Sequence, residues 1–302
     1  MKPTPASEPV IVLKQVSRRY GAKVALDAVS LEIPRGGVLG LVGANGAGKT
    51  TLIKHLLGLL RAQEGSVRVF GLDPVTHHTE VLGRLGYLSE DRDLPPWITV
   101  GELLRYSRAF YPAWDPAYAE TLRQRFQLPD TARIRTLSKG ELAKTGLLVA
   151  LAHRPELLVL DEPSSGLDPL VRRELLEAIV RAVADEGRTV LFSSHLLDEV
   201  ARVSDRVAML AHGRLVMQGA LDELLDSHRR FVVRLPRTVA GAERLPGVLS
   251  IAGGPDEWTV IANGAAEEFL AALREAGGEA LEDSNATFEE IFHARVTRVA
   301  GA

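Results

Sequence analysis

Blocks of apolar residues at strand and helix spacing succeed one another along most of this chain. Val10 to Val16 and Val24 to Ile33 read as strands, with Tyr20-Gly21 turning between them. Pro34-Arg35-Gly36-Gly37 marks another turn. Val38 to Val42 is then a continuous apolar run, as a buried strand of a parallel sheet requires. Beyond Lys49, residues Leu52, Ile53, Leu56, Leu57 and Leu60 fall on one broad helical face. Gly65 to Phe70 predicts a short strand, and Leu85 to Leu88 is short and apolar. Polar Ser89 to Asp93 and the Pro95-Pro96 break come next. From Thr99 to Leu128 the pattern is mostly helical, interrupted at Pro112 and Pro116, and suggests a helical insertion between sheet strands.

Leu157 to Leu160 predicts a second buried strand, followed by a helix from about Leu170 to Glu186 and a strand from Thr189 to Ser193. Val207 to Leu210 and Arg214 to Met217 form an expected hairpin around Gly213. Strands alternating with helices argue for an α/β fold with a mainly parallel core. The pattern changes near Ser227-His228-Arg229-Arg230. Strand-like Phe231 to Leu235 and Glu257 to Ile261 follow, with helices expected over Ala265 to Glu275 and Ala286 to Arg295. The expected division is a domain over residues 1–228, containing a helical subdomain at about 91–155, and a small α+β accessory domain over 229–302.

Composition narrows the classes. A chain of 302 residues holds one large domain, or one large and one small. With 46% hydrophobic and 25% charged residues it reads as an ordinary soluble globular protein. A formal charge of −3 supplies no overall field for DNA or RNA, and no nucleic-acid partner is expected. The absence of cysteine excludes disulfides, thiolate chemistry, Fe–S clusters and cysteine-zinc sites, and fits a reducing compartment. Met1 to Pro9 is polar and lacks the apolar stretch of a secretory signal. The longest apolar helical run, Leu142 to Leu151, contains Lys144, so any work at a membrane is expected to pass through a partner.

The chemistry begins at Gly43-Ala44-Asn45-Gly46-Ala47-Gly48-Lys49-Thr50, a phosphate-binding loop between a predicted strand and a helix start. Its backbone N–H groups cradle phosphates, Lys49 reaches the β- and γ-phosphates, and the Thr50 hydroxyl can hold Mg²⁺. ATP or GTP is the expected starting point. Leu157-Leu158-Val159-Leu160-Asp161-Glu162 adds two carboxylates at the C-terminal end of a buried strand, where open α/β sheets place ligands. Asp161 suits Mg²⁺ through water, and Glu162 suits polarising the attacking water; the plainer alternative is an acidic helix cap. Ser138 and Gly140, in Leu137-Ser138-Lys139-Gly140-Glu141, can bind an anion at a helix start or simply cap it. Asp168, in Ser165-Gly166-Leu167-Asp168, can cap the following helix. His195, at the end of a strand, can donate to a γ-phosphate or stand as a surface residue.

In this order the motifs resemble the nucleotide-binding subunit of ATP-binding-cassette (ABC) transporters, from Val10 to about Glu223. The resemblance implies a P-loop NTPase with an ABC-type core, a helical subdomain and a small C-terminal α+β domain. It implies ATP and Mg²⁺ as cofactors and ATP hydrolysis as the activity. Nucleotide contacts would come from Tyr20 stacked on adenine and from Gly43, Asn45, Gly46, Gly48, Lys49, Thr50 and Thr51. Ser138, Gly140 and Asp168 would act across a dimer. Glu162, His195, Lys49 and Glu90 would be catalytic, and Thr50, Asp161 and Glu90 would face the metal. The implied partners are a second nucleotide-binding subunit, the same chain or a different one, and a separate multi-span membrane subunit. The protein would sit on the cytoplasmic side of the plasma membrane through that partner.

Two departures stand out. The family's lid-loop glutamine falls at Glu90, and the signature carries Lys139 for its first Gly and Glu141 for its Gln. The stretch Tyr87 to Asp115, including Glu90-Asp91-Arg92, is similar to a bacterial exporter-like group. Trp97, Phe110, Tyr111 and Trp114 are expected contacts to the membrane subunit; the alternative is that Trp114 and Phe110 fill the small helical core. The competing readings are a soluble cassette ATPase acting on ribosomes or nucleic acid, and a weakly hydrolysing regulatory half of a heterodimer.

Overall fold

The computed structural model describes residues 8–235, 245–254, 257–264 and 266–300. Met1 to Ser7, and Ala265 at the expected start of a helix, lie outside the described residues. In chain order the elements are β1 (Ile11–Tyr20), β2 (Lys23–Ile33), β3 (Gly37–Val42), α1 (Lys49–Leu56), β4 (Glu64–Val69), α2 (His78–Gly83) and β5 (Leu85–Leu88). A helical layer follows: α3 (Val100–Arg108), α4 (Pro116–Arg125) and α5 (Lys139–Leu151). Then come β6 (Leu157–Asp161), α6 (Pro169–Glu186), β7 (Thr189–Ser194), α7 (Leu197–Val203), β8 (Arg206–Ala211) and β9 (Arg214–Ala220). The chain closes with α8 (Leu221–Ser227), β10 (His228–Arg234), β11 (Val248–Gly253), β12 (Trp258–Asn263), α9 (Ala266–Glu275), β13 (Glu279–Asn285) and α10 (Phe288–Ala300).

The central sheet has the order β5-β6-β7-β3-β8-β9. Its strands run parallel except β9, which pairs antiparallel with β8 as the hairpin around Gly213. All of β6 and β7 is buried, as the apolar runs at 157–160 and 190–192 require, and the buried polar ends carry Asp161, Ser193 and Ser194. A second, antiparallel sheet, β2-β1-β4, packs with α1 into one hydrophobic core.

Between α3 and α4 the chain breaks where the prolines stand. Asp115 caps α4 by accepting from the Tyr118 N–H at 2.9 Å, with Pro116 at the first helical position. The four expected aromatic contacts divide. Trp97 is 70% and Phe110 63% exposed, but Trp114 packs against the core and Tyr111 stacks on His153 with centroids 4.0 Å apart. Tyr106, not among the expected contacts, lies out beside Phe110 with centroids 5.0 Å apart.

The C-terminal sheet has the order β11-β12-β10-β13, and α9 covers one face through Phe269 and Leu273. Its edge strand, β13, is exposed throughout. Cross-strand ion pairs hold it, Arg229–Asp283 at 2.6 Å and Arg230–Glu282 at 3.3 Å. α10 turns back to the first part of the chain. Phe288, Ile291 and Phe292 share one core with Val38, Val42, Val200 and Met209.

Candidate functional site

The β3 strand delivers the chain into the loop that precedes α1. Gly48 closes that loop at φ +114°, and a Cβ there would meet the Ala25 carbonyl oxygen at 2.5 Å, so only glycine fits. A cavity of about 380 Å³ lies over the loop, lined among others by Tyr20, Asn45, Lys49, Thr50, Glu90 and Glu162. Gly46, Gly48 and Thr51 line it too, as does Lys23, a cation that sequence reasoning missed. Tyr20 stands at this rim, 46% exposed, with the Arg18 guanidinium 5.0 Å from its ring centroid.

Lys49 is buried beneath the cavity. Its Nζ donates to the Gly43 carbonyl at 2.7 Å and lies 3.0 Å from Oε1 of Glu162. An ammonium has three donors, so one remains for a ligand. The other oxygen of Glu162 accepts from Nδ1 of His195 at 2.8 Å. Glu162 itself adopts φ +48°, a left-handed conformation uncommon for a residue with a Cβ. Its N–H is held there by the Ser193 hydroxyl at 3.0 Å and the Ser193 carbonyl at 3.2 Å. Strain of this kind gathers at functional sites.

Asp161 is almost fully buried and accepts from the Ser193 hydroxyl at 2.7 Å. Burial pushes its carboxyl above the usual carboxylate range, against the hydrogen bonds from Ser193 and Thr50. A buried carboxylate beside a threonine hydroxyl is a hard-oxygen set that suits Mg²⁺.

Ser138, Gly140 and Asp168 do not line the cavity. Ser138 caps α5 in a reciprocal box: its hydroxyl donates to the Glu141 carboxylate at 2.7 Å and accepts from the Glu141 N–H at 3.2 Å. The Ser138 N–H, which donates to the same carboxylate at 2.8 Å, and the Ser138 hydroxyl hold the Glu141 carboxyl below its usual range. Asp168 accepts from the Leu170 and Val171 N–H groups, each at 3.1 Å, and so caps α6. His195 lines a neighbouring cavity instead, where Asn45 also stands.

Two residues that sequence reasoning missed tie the surrounding loops together. Nη2 of Arg92 donates to the Pro163 and Ser165 carbonyls, while Glu90 accepts weakly from the Ser165 hydroxyl at 3.4 Å. Glu199, buried in α7, accepts from Ser164 at 2.5 Å and Ser194 at 3.1 Å, and pairs with Arg172 at 3.1 Å. The loops after Glu162 and before His195 thus share one buried carboxylate.

The family model described as "ABC transporter" matches residues 26–165. The chain is 29% identical over 286 residues to the ABC transporter ATP-binding protein YtrB of Bacillus subtilis (strain 168), covering 95% of this chain and 98% of YtrB. It is 34% identical over 252 residues to the daunorubicin resistance ATP-binding protein DrrA3 of Streptomyces coeruleorubidus, covering 82% and 76%. A solved ATP-binding subunit of an ABC transporter superposes with a TM-score of 0.66 at 30% identity, over 72% of this chain and 92% of that one.

Proposed function

The chain belongs to the ABC transporter ATP-binding family, and from that premise we propose that it hydrolyses ATP as one of two cassettes that power a membrane exporter. The observation that carries the reading is the chain of contacts Lys49–Glu162–His195 beneath the phosphate loop, buried at Lys49 and Glu162 and open to solvent at His195. ATP would lie in the cavity, its adenine against Tyr20 and its phosphates on the N–H groups of Gly43 to Thr51, with the third donor of Lys49 on a phosphate oxygen. Thr50 and Asp161 would hold Mg²⁺, and Glu90 lines the same cavity as Thr50. The bound ion supplies neutralisation of phosphate charge. Glu162 orients a water and takes its proton as the bond to the γ-phosphorus forms and the bridge to ADP breaks. His195, bonded to the other oxygen of that carboxylate, fixes its direction.

Ser138 is exposed and lies outside the cavity of its own chain, which supports its acting on the nucleotide of a second cassette. Each site would combine Gly43 to Thr51 of one copy with Ser138 and Gly140 of the other, and Asp168 would lie at the same junction. Loss of the γ-phosphate would release the closed pair. No described helix is long and apolar enough to cross a membrane. The proposed partner at the membrane is a separate multi-span subunit, with this chain on its cytoplasmic side. Tyr106 and Phe110, with ring centroids 5.0 Å apart, and Trp97 are exposed aromatics suited to that contact. The resistance named for DrrA3 supports outward transport.

The test is recovery of the tagged, ATP-loaded Glu162→Gln protein from detergent-solubilised native membranes. A stoichiometric multi-span membrane protein is expected. A second, different cassette would make the assembly a heterodimer. Ribosomal or nucleic-acid partners without a membrane subunit would replace the transporter reading.

A further inference from the structure

Two features beside the nucleotide machinery are complementary. At the start of α6, Leu170 is 67% exposed, a large apolar side chain left in water. Its neighbour Val171 packs on the signature: a Cβ at Gly140 would meet Val171 Cγ1 at 2.7 Å. Leu170 is therefore carried beside Ser138 and Gly140. The second feature is a cavity of about 440 Å³ between the phosphate loop, the start of α7 and α10. Leu196, Leu197 and Phe292 supply apolar walls, with Glu289 and His293 among the polar lining. Asn45 lines both this cavity and the one over the phosphate loop.

We propose that Leu170 of the partner subunit seats in this second cavity when two copies close on ATP, so that α10 belongs to the nucleotide-dependent interface. The inference rests on the paired-cassette reading above. If the signature of one copy covers the phosphate loop of the other, the leucine next to that signature arrives where Asn45 separates the two cavities. A two-fold interface is isologous, so each copy gives one leucine and receives one. An apolar anchor inside a polar rim is the usual anatomy of such a contact. Closure on nucleotide then bears directly on the C-terminal helix, which shares its core with β3 and α7.

The chain contains no cysteine, so introduced thiols report without background. In Glu162→Gln protein carrying Leu170→Cys and His293→Cys, ATP with Mg²⁺ is expected to give covalent dimers with a short bis-maleimide, and ADP to give few. Sedimentation of the Glu162→Gln protein reads the pairing itself. ATP-dependent dimers that fail to cross-link would overturn the leucine contact and leave the paired reading standing. No ATP-dependent dimer at all would overturn both. Leu170→Asp, at a site exposed in the single chain, is expected to weaken ATP-dependent dimerisation about tenfold or more, while Leu170→Met keeps it. Unchanged dimerisation in Leu170→Asp would also overturn the proposal.

Discussion

Nη2 of Arg92 donates to the carbonyl oxygen of Ser165 at 2.8 Å and to that of Pro163 at 2.9 Å, fastening the lid loop onto the segment after Glu162. Arg92 holds φ +51° to do so. Removing the guanidinium frees both loops without touching the phosphate loop. Arg92→Ala is therefore predicted to lower kcat between about ten- and a hundredfold through misplacement of Glu162. KM for ATP stays within about twofold, and Arg92→Lys recovers part of the loss. Steady-state ATPase kinetics on the three proteins decide it. A rise in KM with kcat intact would assign Arg92 to nucleotide binding instead.

Glu162 sits between Lys49 and His195, with only 6% of its side chain exposed. Glu162→Gln keeps the shape and removes the proton acceptor. The predicted outcome is ATP affinity close to wild type with turnover reduced about 10²- to 10⁴-fold. Equilibrium binding of a fluorescent ATP analogue beside phosphate release measures both. Turnover equal to wild type would remove Glu162 as the essential base.

The phosphate loop and the Asp161-Glu162 pair are legible in sequence because each is a local device: a short run whose backbone path is fixed by its own residues. Arg92 and Glu199 are not, since their partners lie 71 and 35 residues away and only folding brings them together. β13 escaped for another reason. Glu-Ala-Leu-Glu-Asp-Ser-Asn has neither strand alternation nor strand propensity, and the pairs to Arg229 and Arg230 on β10 compensate. Phe110 and Tyr111 are chain neighbours with opposite fates, one exposed and one stacked on His153. They lie in the irregular join between α3 and α4, where no helical or strand period assigns a face.

The outward set Trp97, Tyr106 and Phe110 separates docking from catalysis. Phe110→Ala with Trp97→Ala is predicted to leave the ATPase rate of the isolated protein within about twofold, because exposed side chains away from the site contribute little to stability. The same pair should abolish recovery of the membrane subunit, since interface aromatics carry much of the binding energy. Undiminished recovery would place the contact elsewhere on the helical layer.

Ile291, on α10, is fully buried among residues from β3, β8 and α7. Ile291→Ala is predicted to destabilise by about 2–5 kcal/mol, the range for emptying a buried aliphatic site. Because that core is shared, the nucleotide-binding part should lose stability with the C-terminal part. Urea unfolding followed by a probe at Trp258 and by ATP binding tests this. Loss at the Trp258 probe alone would show that α10 does not brace the first part of the chain.

Acid should destabilise the protein through buried histidines before its carboxylates titrate. Burial lowers the pKa of His55, His153 and His228 below the ordinary 6.5. The geometry agrees for His228, whose Nε2 lies 3.0 Å from Nη2 of Arg295 and must accept from it, while Nδ1 faces the Leu224 carbonyl at 2.7 Å. A group with a lowered histidine pKa binds fewer protons folded than unfolded. Its contribution is complete above about pH 6.5 and is lost as pH falls through the folded value. The carboxyls of Glu102, Glu141 and Glu156, held below 4.5, act only at lower pH. Asp161 works in the opposite sense, because its carboxyl is raised from 3.8 and its protonation favours the folded state. Comparing wild type with His153→Gln cancels Asp161 from the difference. The urea midpoint of wild type should fall between about pH 7.5 and pH 5.5, and His153→Gln should fall less steeply. Parallel slopes would mean that His153 takes up its proton as readily in the folded chain as in the unfolded one.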